Sequence, residues 1–279
     1  DTSGSTVTAS AGDSGNGGSS TVGTYQINTG NEIEVPFSGW GAGTWGQGTW
    51  GNGGTTLAGM RLWSQSNFGE DLFFVHRNGA LYYWDASSGV TTRGVLVSSL
   101  GGASQVPTVA NIAFVSDIFR FAFCFGVNAV GASALDPMLL RWSDQEDITD
   151  WNPTATNQAG SLSLSEGTEI VQAIQARQEV LVWTDSAMYG LQYLGAPLVW
   201  GATLLGSNIT IASPNAAVYS NNIAYWMGTS KFYYYDGTVK TLPCSVRSYV
   251  FDDFNSDQAQ QVICGSNEEF DEIWWFYCS

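Results

Sequence analysis

From about residue 56 onward, apolar and aromatic residues come in short, strand-length bursts separated by polar turns. The clearest pair is Leu72-Phe73-Phe74-Val75 and Leu81-Tyr82-Tyr83-Trp84-Asp85, joined by His76-Arg77-Asn78-Gly79. Asn-Gly between two such runs is a strong hairpin signal, because both residues tolerate the positive φ that tight turns demand. Residues 121–125 (FAFCF) pair across a longer loop with residues 138–143 (MLLRWS). Residues 180–183 and 187–191 flank Thr184-Asp185-Ser186, and residues 223–227 and 232–237 flank Gly228-Thr229-Ser230. Residues 273–277 (IWWFY) open a fifth copy that stops short. Residues 170–176 fit either a helical turn or a strand, and convincing helices are few.

The copies start at Leu72, Phe121, Val180, Ile223 and Ile273, a recurrence of roughly 40–60 residues. Repeats of this length built from short strands predict the blades of a β-propeller, whose faces need bulky side chains to fill the wedge between sheets. A β-sandwich competes, but it predicts turns every 8–12 or so residues without the longer unit. The expected fold is therefore all-β, with residues 56–279 a partial propeller of about five blades. Five apolar residues in a row at the end look like a strand awaiting its partner, which leads to the expectation of a piece of a longer polypeptide.

Residues 1–55 read differently. The first thirty are dominated by Gly, Ser and Thr, a composition suited to an extended arm or linker. A period-five repeat follows: Trp40-Gly41-Ala42-Gly43-Thr44, Trp45-Gly46-Gln47-Gly48-Thr49 and Trp50-Gly51-Asn52-Gly53-Gly54. Period five matches neither helix nor strand, while the glycines permit close approach and each indole offers a large apolar area. Trp40, Trp45 and Trp50 are thus candidate interface residues, pinning a loop to a neighbouring surface. Local packing without a partner is the alternative.

Composition narrows the function. Lys and Arg number 9 against 25 Asp and Glu, a formal net charge of −16, which excludes a general nucleic-acid clamp. No apolar run is long enough for a helical membrane span, and no signal peptide is visible. The four cysteines are scattered without a CxxC pair, which favours free thiols; a Cys244–Cys264 bridge is the best alternative. With a single histidine, His76, neither a transition-metal site nor a His-based catalytic triad has the residues it needs, and His76 reads as a solvated turn residue. The acidic stretches Asp144-Gln145-Glu146-Asp147-Ile148-Thr149-Asp150 and Glu268-Glu269-Phe270-Asp271-Glu272 lack calcium-loop spacing. They read as solvated loop or subunit-contact carboxylates rather than a glycosidase pair. Neither enzyme chemistry nor a cofactor or metal is expected.

Certain residues resemble a known family. The run from Leu135-Asp136-Pro137-Met138 through Leu139-Leu140-Arg141-Trp142-Ser143-Asp144-Gln145-Glu146 to Asp150-Trp151-Asn152-Pro153-Thr154 is similar to bacteriophage tail nozzle proteins. These are also called tail tubular protein B, or head-to-tail stabilisation proteins, of short-tailed phages. Gly167-Thr168-Glu169-Ile170, Gln178-Glu179-Val180-Leu181-Val182-Trp183-Thr184-Asp185 and Ser213-Pro214-Asn215-Ala216-Ala217 continue the likeness. So do Tyr225-Trp226-Met227-Gly228, Phe232-Tyr233-Tyr234-Tyr235-Asp236-Gly237, Leu242-Pro243-Cys244-Ser245-Val246, Tyr249-Val250-Phe251 and Glu272-Ile273-Trp274-Trp275-Phe276-Tyr277. The resemblance spans most of residues 31–279, including the WGxGT repeat.

It implies a structural virion protein in the phage tail: a homo-oligomeric ring, typically a hexamer, that conducts double-stranded DNA during ejection without sequence-specific binding. Tail adaptor and tail fibre proteins are the implied partners. On that reading, carboxylates facing the channel would repel the passing phosphates over about one Debye length. The rival expectation is a carbohydrate-binding or glycan-cleaving propeller that recognises a receptor.

Overall fold

The computed structural model describes residues 60–279 and, by backbone alone, two short strands, β1 (Thr6–Thr8) and β2 (Val22–Thr24), paired antiparallel. Trp40, Trp45 and Trp50 lie outside the described residues. The chain divides into two compact units, 1–61 and 62–279.

The second unit is all-β, a succession of antiparallel meanders in which neighbouring strands follow chain order. The first sheet holds β3 (Trp63–Phe68), β4 (Asp71–His76), β5 (Leu81–Trp84) and β6 (Val95–Leu96). The second holds β7 (Ala110–Ser116), β8 (Phe121–Asn128), β9 (Leu135–Trp142) and β10 (Gly160–Ser163). The third holds β11 (Ile170–Gln175), β12 (Val180–Thr184), β13 (Ala187–Gly195) and β14 (Val199–Ser207). The fourth holds β15 (Ala217–Ser220), β16 (Ile223–Met227), β17 (Phe232–Tyr235) and β18 (Val239–Thr241). One helix, α1 (Arg247–Asp253), precedes a final two-stranded sheet of β19 (Ile263–Asn267) and β20 (Glu272–Phe276). No closed barrel forms among the described residues.

The unbroken apolar runs have a simple cause: a central sheet is covered on both faces, so alternate side chains enter different cores. All eight residues of β8 are buried. Phe121, Phe123 and Phe125 pack with Val180, Val182 and Tyr189 of the third sheet. Ala122 and Cys124 turn the other way, onto Phe73, Val75 and Leu81 of the first sheet. A bulge then shifts the register beside Gly126, whose φ of 56° suits glycine, and Val127 joins the face of Cys124 despite its odd number. β12 divides likewise, Val180 and Val182 facing back while Leu181 and Trp183 meet Ala224 and Trp226 of the fourth sheet. Each fully buried Phe or Leu contributes about 1.5–3 kcal/mol, so the three inter-sheet cores dominate stability.

The first strands of successive sheets are also stitched together. Ser64 Oγ donates to Ala113 O at 2.7 Å and accepts from Ala113 N at 3.1 Å, and Ser66 Oγ accepts from Val115 N at 3.2 Å. Ser116 Oγ reaches Gln175 Oε1 at 3.0 Å, joining β7 to β11. Asn215 O, just before β15, accepts from Cys264 N on β19 at 2.7 Å.

The placement of the repeating unit needs adjustment. The repeating unit begins one strand earlier than the aromatic bursts suggest, because the bursts are second strands and the first strands are weaker in pattern. Residues 273–277 accordingly do not open a fifth unit; β19 opens it and β20 pairs back onto β19, with Ile263 opposite Phe276. The stretch 170–176 resolves as strand β11. The hairpin expected around Asn78-Gly79 forms: β4 pairs with β5, with Val75 opposite Leu81 and residues 76–80 between them. Asn78 takes the left-handed conformation at φ 58°, while Gly79 exchanges hydrogen bonds with Ala110 of the next sheet, 2.9 and 3.3 Å long.

Candidate functional site

The densest polar feature is built on the motif around Arg141. This side chain ends on the inner part of β9 and is only 1% exposed. Its guanidinium donates to three backbone carbonyls from three separate segments: Gln105 at 2.6 Å, Trp151 at 2.9 Å and Asn128 at 3.2 Å. Among the described residues no carboxylate pairs with it. Burial holds its pKa below the usual arginine value, with the neighbouring Cys124 sulfur acting in the opposite sense. Fully buried Trp151 closes the arrangement, its indole N–H donating to Ile148 O at 2.8 Å. The Arg141–Trp151 motif is therefore a structural clamp on the loops at one end of the second sheet.

The acidic stretch beside it serves the same loops. Asp147 Oδ1 accepts from Thr149 N and Oγ1, Asp150 from Asn152 N and Asn157 Nδ2, and Asp144 Oδ1 from Gln158 N at 2.7 Å. Glu146 pairs with Arg120 at 3.4 Å, both well exposed. These are turn-forming carboxylates. The second stretch, residues 268–272, forms the exposed β19–β20 connection and the first residue of β20.

His76 is not a solvated turn residue. It is the last residue of β4, half-buried, with its ring lying edge-on to Trp63 at 5.6 Å. A Cβ at Gly79 would collide with that ring, which is why the connection needs glycine there. All four cysteines are free: Cys124 is buried, while Cys244, Cys264 and Cys278 are half-buried. No cluster of metal-ligating side chains occurs among the described residues.

A concave feature lies on the second unit, and sequence reading did not find it. A cavity of about 390 Å³ is bordered by the first strands of the first three sheets and by the segment just ahead of β15. Gln65 of β3, Asn111 of β7, Gln172 of β11 and Asn215 ahead of β15 each contribute, together with Trp63 and Arg77. None of its described lining residues is acidic, on a chain with 25 Asp and Glu. Arg77 also donates to Gln260 Oε1 at 3.3 Å, which links the first sheet to the segment leading into β19. The available signal was the amide side chains in or just ahead of the first strands, Gln65, Asn111, Gln172 and Asn215. It becomes visible only once the unit boundary is set at the first strand.

Comparison with known proteins adds little. No family model matches the chain, and no curated protein matches it. Among solved structures, a computationally designed protein called Ika8 is similar over 80% of this chain and 72% of its own, at 10% identity and a TM-score of 0.33. A likeness that low transfers neither fold nor function.

Proposed function

We propose that this chain is a non-enzymatic structural protein of a short bacteriophage tail. In this reading its five sheets are blades of a β-propeller, and copies assemble into a nozzle ring, of six subunits by the family resemblance, that conducts DNA. The supporting observation is the succession of meanders packed face to face, with each first strand beside the next. This is the arrangement propeller blades adopt around an axis.

Assembly surfaces fit the same reading. β19–β20 turns Trp275 inward, 4.9 Å from Phe232, and leaves Ile263, Trp274 and Phe276 more than half exposed on its other face. Tyr249 and Val246 near α1 and Leu194, Leu198 and Leu204 on the third sheet add further exposed apolar area. Exposed apolar patches of this kind mark interaction sites, and tail adaptor and fibre proteins are the expected neighbours. The acidic surplus suits a conduit past which DNA slides without sticking.

Electron microscopy of the purified full chain tests the reading. Closed rings of constant copy number support it, and immunolabelling of intact particles should then place the chain at the tail. A monomer at every concentration tried, with no tail label, overturns it. Replacing Trp40, Trp45 and Trp50 together with Ala should reduce ring yield and leave the circular-dichroism spectrum unchanged, as expected where Trp anchors an interface.

A further inference from the structure

The cavity where β3, β7 and β11 meet the segment ahead of β15 is lined by polar side chains. Gln65, Gln172 and Asn215 make no side-chain hydrogen bond among the described residues, and Asn111 commits only its Oδ1, to Asn78 N at 3.2 Å. Four amides therefore border a common space, from β3, β7, β11 and the segment ahead of β15; Asn111 and Gln172 are half-buried, Gln65 and Asn215 exposed. Among the described lining residues Arg77 supplies the one full charge, and its bond to Gln260 occupies one of the guanidinium's five donors. Trp63 supplies an aromatic wall, held by Phe74 at 6.3 Å and His76 at 5.6 Å and still 45% exposed.

We infer that this cavity binds a small acidic sugar. Hydroxyl groups pair with both halves of an amide, an aromatic ring covers the apolar face of a pyranose, and a guanidinium takes an anionic substituent in bidentate fashion. The volume of about 390 Å³ lies in the range of roughly 300–1,000 Å³ typical of small-molecule sites. The described lining residues include no carboxylate, so on a protein this acidic the potential there favours an anion more than elsewhere on the described surface. This inference stands independently of the ring assembly.

Titration of the full chain with glucuronate, N-acetylneuraminate, glucose 6-phosphate and glucose, followed by calorimetry and ligand-observed NMR, tests it. The expected result is saturable binding of at least one anionic sugar, with glucose bound at least about tenfold more weakly, the worth of one charge-assisted contact. The pattern among the three anions identifies carboxylate or phosphate as the substituent. Arg77→Gln should erase the preference over glucose, and Gln172→Leu should weaken all sugars alike. Both variants keep the backbone bond of Arg77 N to Leu62 O, and an unchanged melting temperature confirms that they fold. No saturable binding by any anionic sugar, or equal affinity in a folded Arg77→Gln variant, overturns the inference.

Discussion

Replacing Arg141 with Met removes a buried charge and three hydrogen bonds while nearly preserving side-chain length. Two effects oppose each other. Burying a guanidinium without a carboxylate partner is costly, so its removal recovers desolvation energy, and buried ion pairs are often replaceable by apolar residues at no loss. That exchange works when both partners leave together. Here the acceptors are backbone carbonyls of Gln105, Asn128 and Trp151, which no side-chain substitution removes. Each carbonyl left unpaired costs about 1–3 kcal/mol, and the lost bonds involve a charged donor. Even after the recovered desolvation, the balance falls near 3 kcal/mol of destabilisation. Equilibrium urea unfolding of the full chain, monitored by tryptophan fluorescence, should show a lower midpoint with little change in slope. Arg141→Lys should fall between, since one ammonium cannot span three carbonyls in the guanidinium's geometry. A Met variant within about 0.5 kcal/mol of the parent would refute the clamp and show that the loops are held by packing alone.

Gly160→Ala should cost about 1–3 kcal/mol, because its Cβ would collide with the Trp142 ring, which is fixed by the indole bond to Gln158 O at 2.7 Å. Gly265→Ala, with nothing near its Cβ, is the near-neutral control in the same unfolding assay. Alkaline stability should fall between about pH 10 and 12. Burial and then the hydrogen bond to Glu179 push the Tyr235 hydroxyl up to about 12, so the folded state holds a proton that the unfolded chain releases near 10. Tyr235→Phe should flatten the decline in unfolding midpoint across that window; an unchanged slope would count against the assignment. Alkylation followed by mass spectrometry should modify Cys244 and Cys278 first. Cys264, whose thiol burial pushes up to about 12, should follow, and Cys124 should react only on unfolding. Equal rates at all four sites would contradict the burial pattern.

Much of the local structure was legible because it rests on short-range chemistry. Paired aromatic bursts separated by polar turns located β4–β5, β8–β9, β12–β13 and β16–β17, since a strand buried on both faces must be apolar throughout. Other features depend on residues far apart in the chain. The first strands carry Ser64, Ser66, Gln65, Asn111 and Gln172, a polar pattern that disguises them until their pairing across sheets is known. Nothing in the sequence marks Arg141 as buried, and it is the convergence of carbonyls from three segments that compensates its burial. His76 and Gly79 read as a turn, and it takes the neighbouring Ala110 to explain why they pack as they do.

The amino-acid sequence alone determined the strand content and the recurrence of paired strands, because both follow from side-chain periodicity and turn chemistry within a few residues. Tertiary structure decided where each unit begins, which face each side chain enters, and that four amides and an arginine border one cavity. Those outcomes depend on sheet-to-sheet packing, where residues about fifty positions apart become neighbours and no local pattern records the meeting.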